Sequence, residues 1–152
     1  MITDLEIEKV QSIWGDKIVR IGQSKNNKSM CEAETIQLLN ELYNFENGDV
    51  LFKPTKASKK QFRPDFESAK SYFIGGNQDF IEDKGFALNP WLSVRFENSG
   101  IIIHDSQALA MGNYFFKDIE GKETKVEYTF GYIKDNKGNL KINLHHSSLP
   151  YK

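Results

Sequence analysis

The sequence predicts an α+β fold in which N-terminal helices pack on one face of a strongly curved antiparallel β-sheet. Three observations predict it. Apolar residues recur at helical spacing through the first part of the chain, the texture changes to alternating and β-branched runs from Trp91 onward, and short glycine-bearing turns divide those runs. A chain of 152 residues is large enough to bury a core without staples, so residues 1–152 are read as a single domain.

Thr3 and Glu6 make a capping box, and Leu5, Val10, Ile13, Trp14, Ile18 and Ile21 follow as the apolar stripe of a first helix that Gly22 ends. Ser29 with Glu32 reads as a second box. It opens a helix whose stripe is Ala33, Ile36, Leu39 and Tyr43 and which stops near Asn47-Gly48. Val50 to Phe52 is a short strand, and the lysine-rich stretch after it is a loop. Pro64 suits the first turn of a third helix, with Phe66, Ala69, Tyr72 and Phe73 inward and Gly75-Gly76 as its stop. Five strand runs follow: WLSVRFE, GIIIHD, QALAMGNYFFKD, KVEYTFGYIKD and LKINLHHSS. Asn-Ser-Gly, Glu-Gly-Lys and Asn-Lys-Gly are read as turns among them.

The last run carries the functional hint. Strict alternation puts Leu140, Ile142, Leu144, His146 and Ser148 on one face, and Lys141, Asn143, His145 and Ser147 on the other. An apolar face that turns polar at its end is what lines a pocket open at one side. His146 is therefore the expected catalytic or ligand-binding histidine, as general base, proton shuttle or donor. Tyr114 and Tyr128 are expected beside it as phenols, with Phe130 and Leu144 as an apolar floor. Arg95 is the best anion ligand in the chain if its face turns inward. The more apolar Leu92, Val94 and Phe96 on the opposite face argue that it turns outward.

Composition excludes several classes. Twenty basic and 21 acidic side chains give a net charge of -1 without a basic stripe, which argues against nucleic acid. The N-terminus lacks the pattern of a signal peptide and no stretch reads as a membrane span, so a cytoplasmic setting without membrane partners is expected. Cys31 is the single cysteine, no metal-ligand spacing appears, and no metal or cofactor is expected. The 11 Phe, 6 Tyr and 2 Trp fit either a β-rich core or a cavity lined with rings and hydroxyls.

HDSQALAMGNYFF and GNLKINLHHSSLP, behind two or three helices, resemble the nuclear transport factor 2-like superfamily, the cone-shaped α+β barrel shared with ketosteroid isomerase and SnoaL-like cyclases. Within it the sequence is most similar to bacterial relatives of the calcium/calmodulin-dependent protein kinase II association domain. Two pocket arginines of that domain fall on Tyr114 (or Asn113) and on His146, so neither is an arginine here. The resemblance implies self-association, as a homodimer or larger even oligomer, through the outer face of the sheet. Thr129, Ile133, Asn143 and His145 are the residues expected there. Three functions are consistent with this: a binding or association module with a small-molecule cavity, an isomerase, cyclase or dehydratase using His146 with tyrosines, and a structural domain whose cavity its own aromatics fill. The first is preferred, because Asp105 and Glu127 read as exposed and no inward carboxylate is available as the isomerase base.

Overall fold

The computed structural model describes residues 1–152. Helix α1 (Asp4–Gln23) starts at the Thr3–Glu6 capping box, as the sequence predicts, and buries Ile7, Val10, Trp14, Ile18 and Ile21. Helix α2 (Lys28–Leu42) begins two residues earlier than the Ser29 box implies. The Asn27 side chain caps it by accepting from the Met30 amide, and its buried stripe is Cys31, Thr35, Leu38, Leu39 and Leu42. Strand β1 (Leu51–Lys53) and helix α3 (Phe66–Ile74, capped by Asp65) follow. Single 3-10 turns at Gln78–Phe80 and Phe86–Leu88 lead into the sheet.

Strands β2 (Trp91–His104), β3 (Gln107–Asp118), β4 (Glu123–Lys134) and β5 (Leu140–Ser148) form an antiparallel meander, with β1 added parallel to β5 in the order β1-β5-β4-β3-β2. The helices cover one face, so the fold is the curved-sheet α+β cone expected. One cluster of 28 buried residues fills the space between helices and sheet. No helix is long and apolar enough to cross a membrane.

Two bulges correct the strand reading, and each lies opposite a glycine. WLSVRFE and GIIIHD are one continuous strand: Asn98 pairs with Gly112 and Gly100 with Met111, leaving Ser99 as an extra residue. A Cβ on Gly112 would lie 2.1 Å from the Glu97 carbonyl oxygen, so only glycine fits across from this bulge. In β5, Leu144 pairs with Gly131 but Ile142 with Tyr132, which leaves Asn143 extra. A Cβ on Gly131 would sit 2.8 Å from that of Leu144. One inserted residue exchanges the two faces for the rest of a strand. Beyond Asn143, therefore, His145 and Ser147 point into the cone and His146 points out.

Candidate active site

The residues that meet inside the cone are Trp14 of α1, Tyr43 just past α2, Tyr114 of β3, and His145 and Ser147 of β5. The loop after β1 adds Thr55. The His145 imidazole is sandwiched between Phe130 (ring centroids 4.1 Å apart) and Phe52 (4.8 Å), with the Trp14 ring edge-on at 5.7 Å. Burial among these rings pushes the His145 pKa down to about 3, with the neighbouring His146 a smaller cause. The imidazole is neutral at any ordinary pH.

Hydrogen bonds run from this histidine in two directions. Its Nδ1 lies 2.8 Å from the Tyr43 hydroxyl, which accepts from the Trp14 indole N–H at 3.0 Å. Its Nε2 lies 3.0 Å from the Tyr114 hydroxyl, 2.6 Å from Ser147 Oγ, which in turn is 2.6 Å from Thr55 Oγ1. The donor count orders this chain. The indole N–H can only donate, and His145 Nδ1 is the one acceptor within reach of the Tyr43 proton, so the arrangement that leaves no phenol proton unpaired has Tyr43 donating to Nδ1 and the histidine proton on Nε2. With the proton on Nε2, Nε2–H donates to Tyr114, which can then donate to Ser147 and Ser147 to Thr55, and the Thr55 hydroxyl is free to donate into the cavity. Burial raises the pKa values of Tyr43, Tyr72 and Tyr114, so the phenols also stay neutral. The site is a set of polarised, uncharged donors inside aromatic walls.

The cavity between these groups is about 10 Å³, lined by Trp14, Phe52, Tyr72, Phe86 and the hydroxyl chain. That volume holds about one water molecule. Of its lining residues only Thr55 and Phe86 are less than fully buried. The Thr55 loop is fastened from beneath. Buried Arg63 forms a two-pronged bridge to Asp83 (2.7 Å on each arm) and donates to the Lys60 and Ser68 carbonyls, while Ser71 Oγ donates to Asp83 at 2.6 Å. Glu82 accepts from the amides of Ser58, Lys59 and Lys60, which pull its pKa down to about 2. Lys53, the last residue of β1, donates from Nζ to the Ser147 carbonyl at 2.9 Å and ties β5 to β1 where the loop begins.

The sequence-predicted residues separate accordingly. Tyr114 lies in the site and Phe130 lies under His145 as an apolar floor. His146 is exposed on the outer face; the Asn143 bulge is the reason the alternation misassigns it. The same bulge turns Leu144 away from the floor and takes His145 out of any outer interface. Tyr128 is buried, but its hydroxyl donates to Asn98 at 2.6 Å, within a separate cluster that includes Gln11. Arg95 is exposed, bound to Glu97 and Glu123 over the Phe115 ring, and reaches no cavity. His145, Ser147, Thr55 and Tyr43 are the residues sequence reasoning missed. Glycines 112 and 131 inside otherwise regular strands were the available signal for the two bulges. No three His, Cys, Asp or Glu side chains gather where they could hold a metal ion.

The fold is that of the nuclear transport factor 2-like class. A protein from Xanthomonas campestris described as a calcium/calmodulin-dependent protein kinase II association domain superimposes with TM-score 0.58 at 21% identity, over 97% of this chain and 87% of that one. A Streptomyces avermitilis protein described as a dehydratase of the NTF2-like family gives 0.54 at 9%, over 97% and 95%. At such identities these show the fold alone. The sequence model of the family "Metal-independent carbonic anhydrase" matches residues 5–149. A protein of that description from Nostoc sp. strain PCC 7120 is 40% identical over 99% of this chain and 75% of its own length. A crystal structure of the iota-carbonic anhydrase from a cyanobacterium, complexed with bicarbonate, superimposes with TM-score 0.95 at 39% identity, over 99% and 94% of the two chains.

The chain belongs to the metal-independent carbonic anhydrase family. This corrects two expectations. The superfamily resemblance stands, but kinship with association-domain proteins in particular does not. The expectation of a binding or association module, with an isomerase-type enzyme as its alternative, is overturned by the family match.

Proposed function

We propose that this protein hydrates carbon dioxide, reversibly, at the Thr55–Ser147–Tyr114–His145 chain. The observation that carries the reading is the chain of four hydrogen-bonded neutral groups ending inside an aromatic cavity, in a member of this family. Carbon dioxide is linear and apolar and suits walls of Trp14, Phe52 and Phe86. Its bent, hydrated form has oxygens that accept hydrogen bonds. Donors aimed at those oxygens are worth more in the transition state than in the ground state, which is the condition for catalysis.

Protonation of His145 or ionisation of a phenol would place a charge in this apolar site, and their shifted pKa values set themselves against both. The step that avoids a charged group is a relay. Water oxygen attacks the carbon, and one C=O π bond breaks toward the Thr55 hydroxyl, the donor that the chain leaves free. A water proton passes to a hydroxyl oxygen as the relay delivers a hydroxyl proton to the developing oxyanion. Carbonic acid is the product, and it ionises to bicarbonate and a proton on leaving. The protein ends as it began. Tyr114, held by His145, polarises the relay from behind.

Stopped-flow hydration with a pH indicator, on protein stripped with a chelator, tests the reading. Acceleration above the buffer rate is expected. A rate equal to buffer alone would dismiss it.

A further inference from the structure

Tyr72 and Phe86 line the small cavity on one side and, on the other, a much larger open one of about 460 Å³ that is rimmed by Lys25, Lys56 and Lys84. We propose that this larger cavity is the port of the active site and a binding site for its anion, bicarbonate, which passes between the two cavities at Phe86. The inference rests on the hydration reading above and adds where the anion is held.

Two carboxylates also line the port, and both are already committed. Glu82 accepts from three loop amides, and Asp83 is taken by Arg63 and Ser71. Lys25, Lys56 and Lys84 pair with no carboxylate. Three unpaired ammonium groups therefore outnumber the Glu82 and Asp83 carboxylates, whose oxygens are already bonded to loop amides and to Arg63, and the surplus positive charge draws a small anion. Lys56 reaches both wall rings: its Nζ lies 6.0 Å from the Phe86 centroid, and its backbone N–H donates to the Tyr72 hydroxyl at 3.2 Å.

Phe86 has the makings of the moving part. It stacks on Tyr72 at 5.5 Å, is half-buried, and stands on a single 3-10 turn rather than on the sheet. A cavity of about 10 Å³ must widen to admit carbon dioxide beside a water, and Phe86 can swing without breaking a strand pairing. Neutral carbon dioxide crosses the door without help. The anion formed on the other side is met by the lysines.

The test is product inhibition by bicarbonate of carbon dioxide hydration, for the full chain and for Lys56→Ala/Lys84→Ala, at low and high salt. Removing two unpaired charges a few ångströms from a monovalent anion raises the inhibition constant about three- to tenfold at low salt, and salt shrinks the difference. The kcat/KM for carbon dioxide is read for both proteins in the same runs, so that the change in inhibition constant is separated from any change in hydration itself. An unchanged inhibition constant overturns the port. If the wild type gives no acceleration, the hydration reading has failed, and a ¹³C line-broadening titration with bicarbonate still decides the port. Binding that weakens in the double variant upholds it; absent or lysine-independent binding overturns it.

Discussion

Tyr114→Phe removes one oxygen and leaves the ring on its neighbours, Trp14 at 5.5 Å and Phe116 at 4.7 Å. What is lost is the link between His145 Nε2 (3.0 Å) and Ser147 Oγ (2.6 Å). The donor chain is cut in its middle, and Ser147 no longer has a polarised phenol behind it. Loss of a comparable oxyanion donor costs about 10²–10³ in kcat, or ~2.7–4 kcal/mol. Orphaning a buried donor and a buried acceptor costs ~1–3 kcal/mol of stability, and each kcal/mol moves the melting temperature by about 2–4 °C at this chain length. Stopped-flow hydration reads the first effect and thermal unfolding the second. Tyr128→Phe is the control: it loses the hydroxyl of another buried tyrosine, bonded to Asn98 instead, and is expected to melt lower while kcat stays within about twofold. Equal losses of activity in the two variants, or full activity in Tyr114→Phe with a lowered melting point, would refute the chain as catalytic.

Stability should fall with pH earlier than carboxylates alone would cause. His145 has its folded pKa depressed to about 3 from 6.5, so its contribution is complete above pH 6.5 and is lost as pH falls from there toward 3, at up to ~1.4 kcal/mol per unit. Denaturation midpoints between pH 7 and 5 check this; a flat line over that range contradicts it. Arg63→Ala leaves Asp83 buried without its partner and should cost ~3–5 kcal/mol in denaturant unfolding, far more than a surface pair such as Arg95–Glu97. Leu109 and Met111 of β3 and Ile102 of β2 remain exposed on the outer face of the sheet, and self-association through that face is the expected outcome in light scattering at micromolar concentration.

The helices and the meander were legible because their signals are local. Thr3 with Glu6 caps α1 wherever the rest of the chain goes, and Val126, Tyr128, Phe130 and Tyr132 share the buried face that period two assigns them. The site was legible only as far as Asn143. Counting by twos carries the core face correctly through Leu140 and Ile142 and then fails, because the extra residue there is decided by the partner strand's Gly131. His145 and Ser147 share a face in either count, so the pair could be found but not its direction. Thr55 lies in a lysine-rich loop with no periodicity. Its place depends on Arg63–Asp83 and Glu82, contacts 20 or more residues apart in the chain that no spacing rule reaches.

Exchange of ¹⁸O between carbon dioxide and water, followed by membrane-inlet mass spectrometry on chelator-treated protein from pH 5 to 9, bears most directly on a relay of neutral hydroxyls. It reads kcat/KM for carbon dioxide without an external proton acceptor. With His145 neutral throughout that range and the phenols raised above it, the profile is expected to be flat and well above the uncatalysed rate. Exchange at the uncatalysed rate, or a profile that climbs through a midpoint near 6.5 as an ordinary histidine base would give, contradicts it.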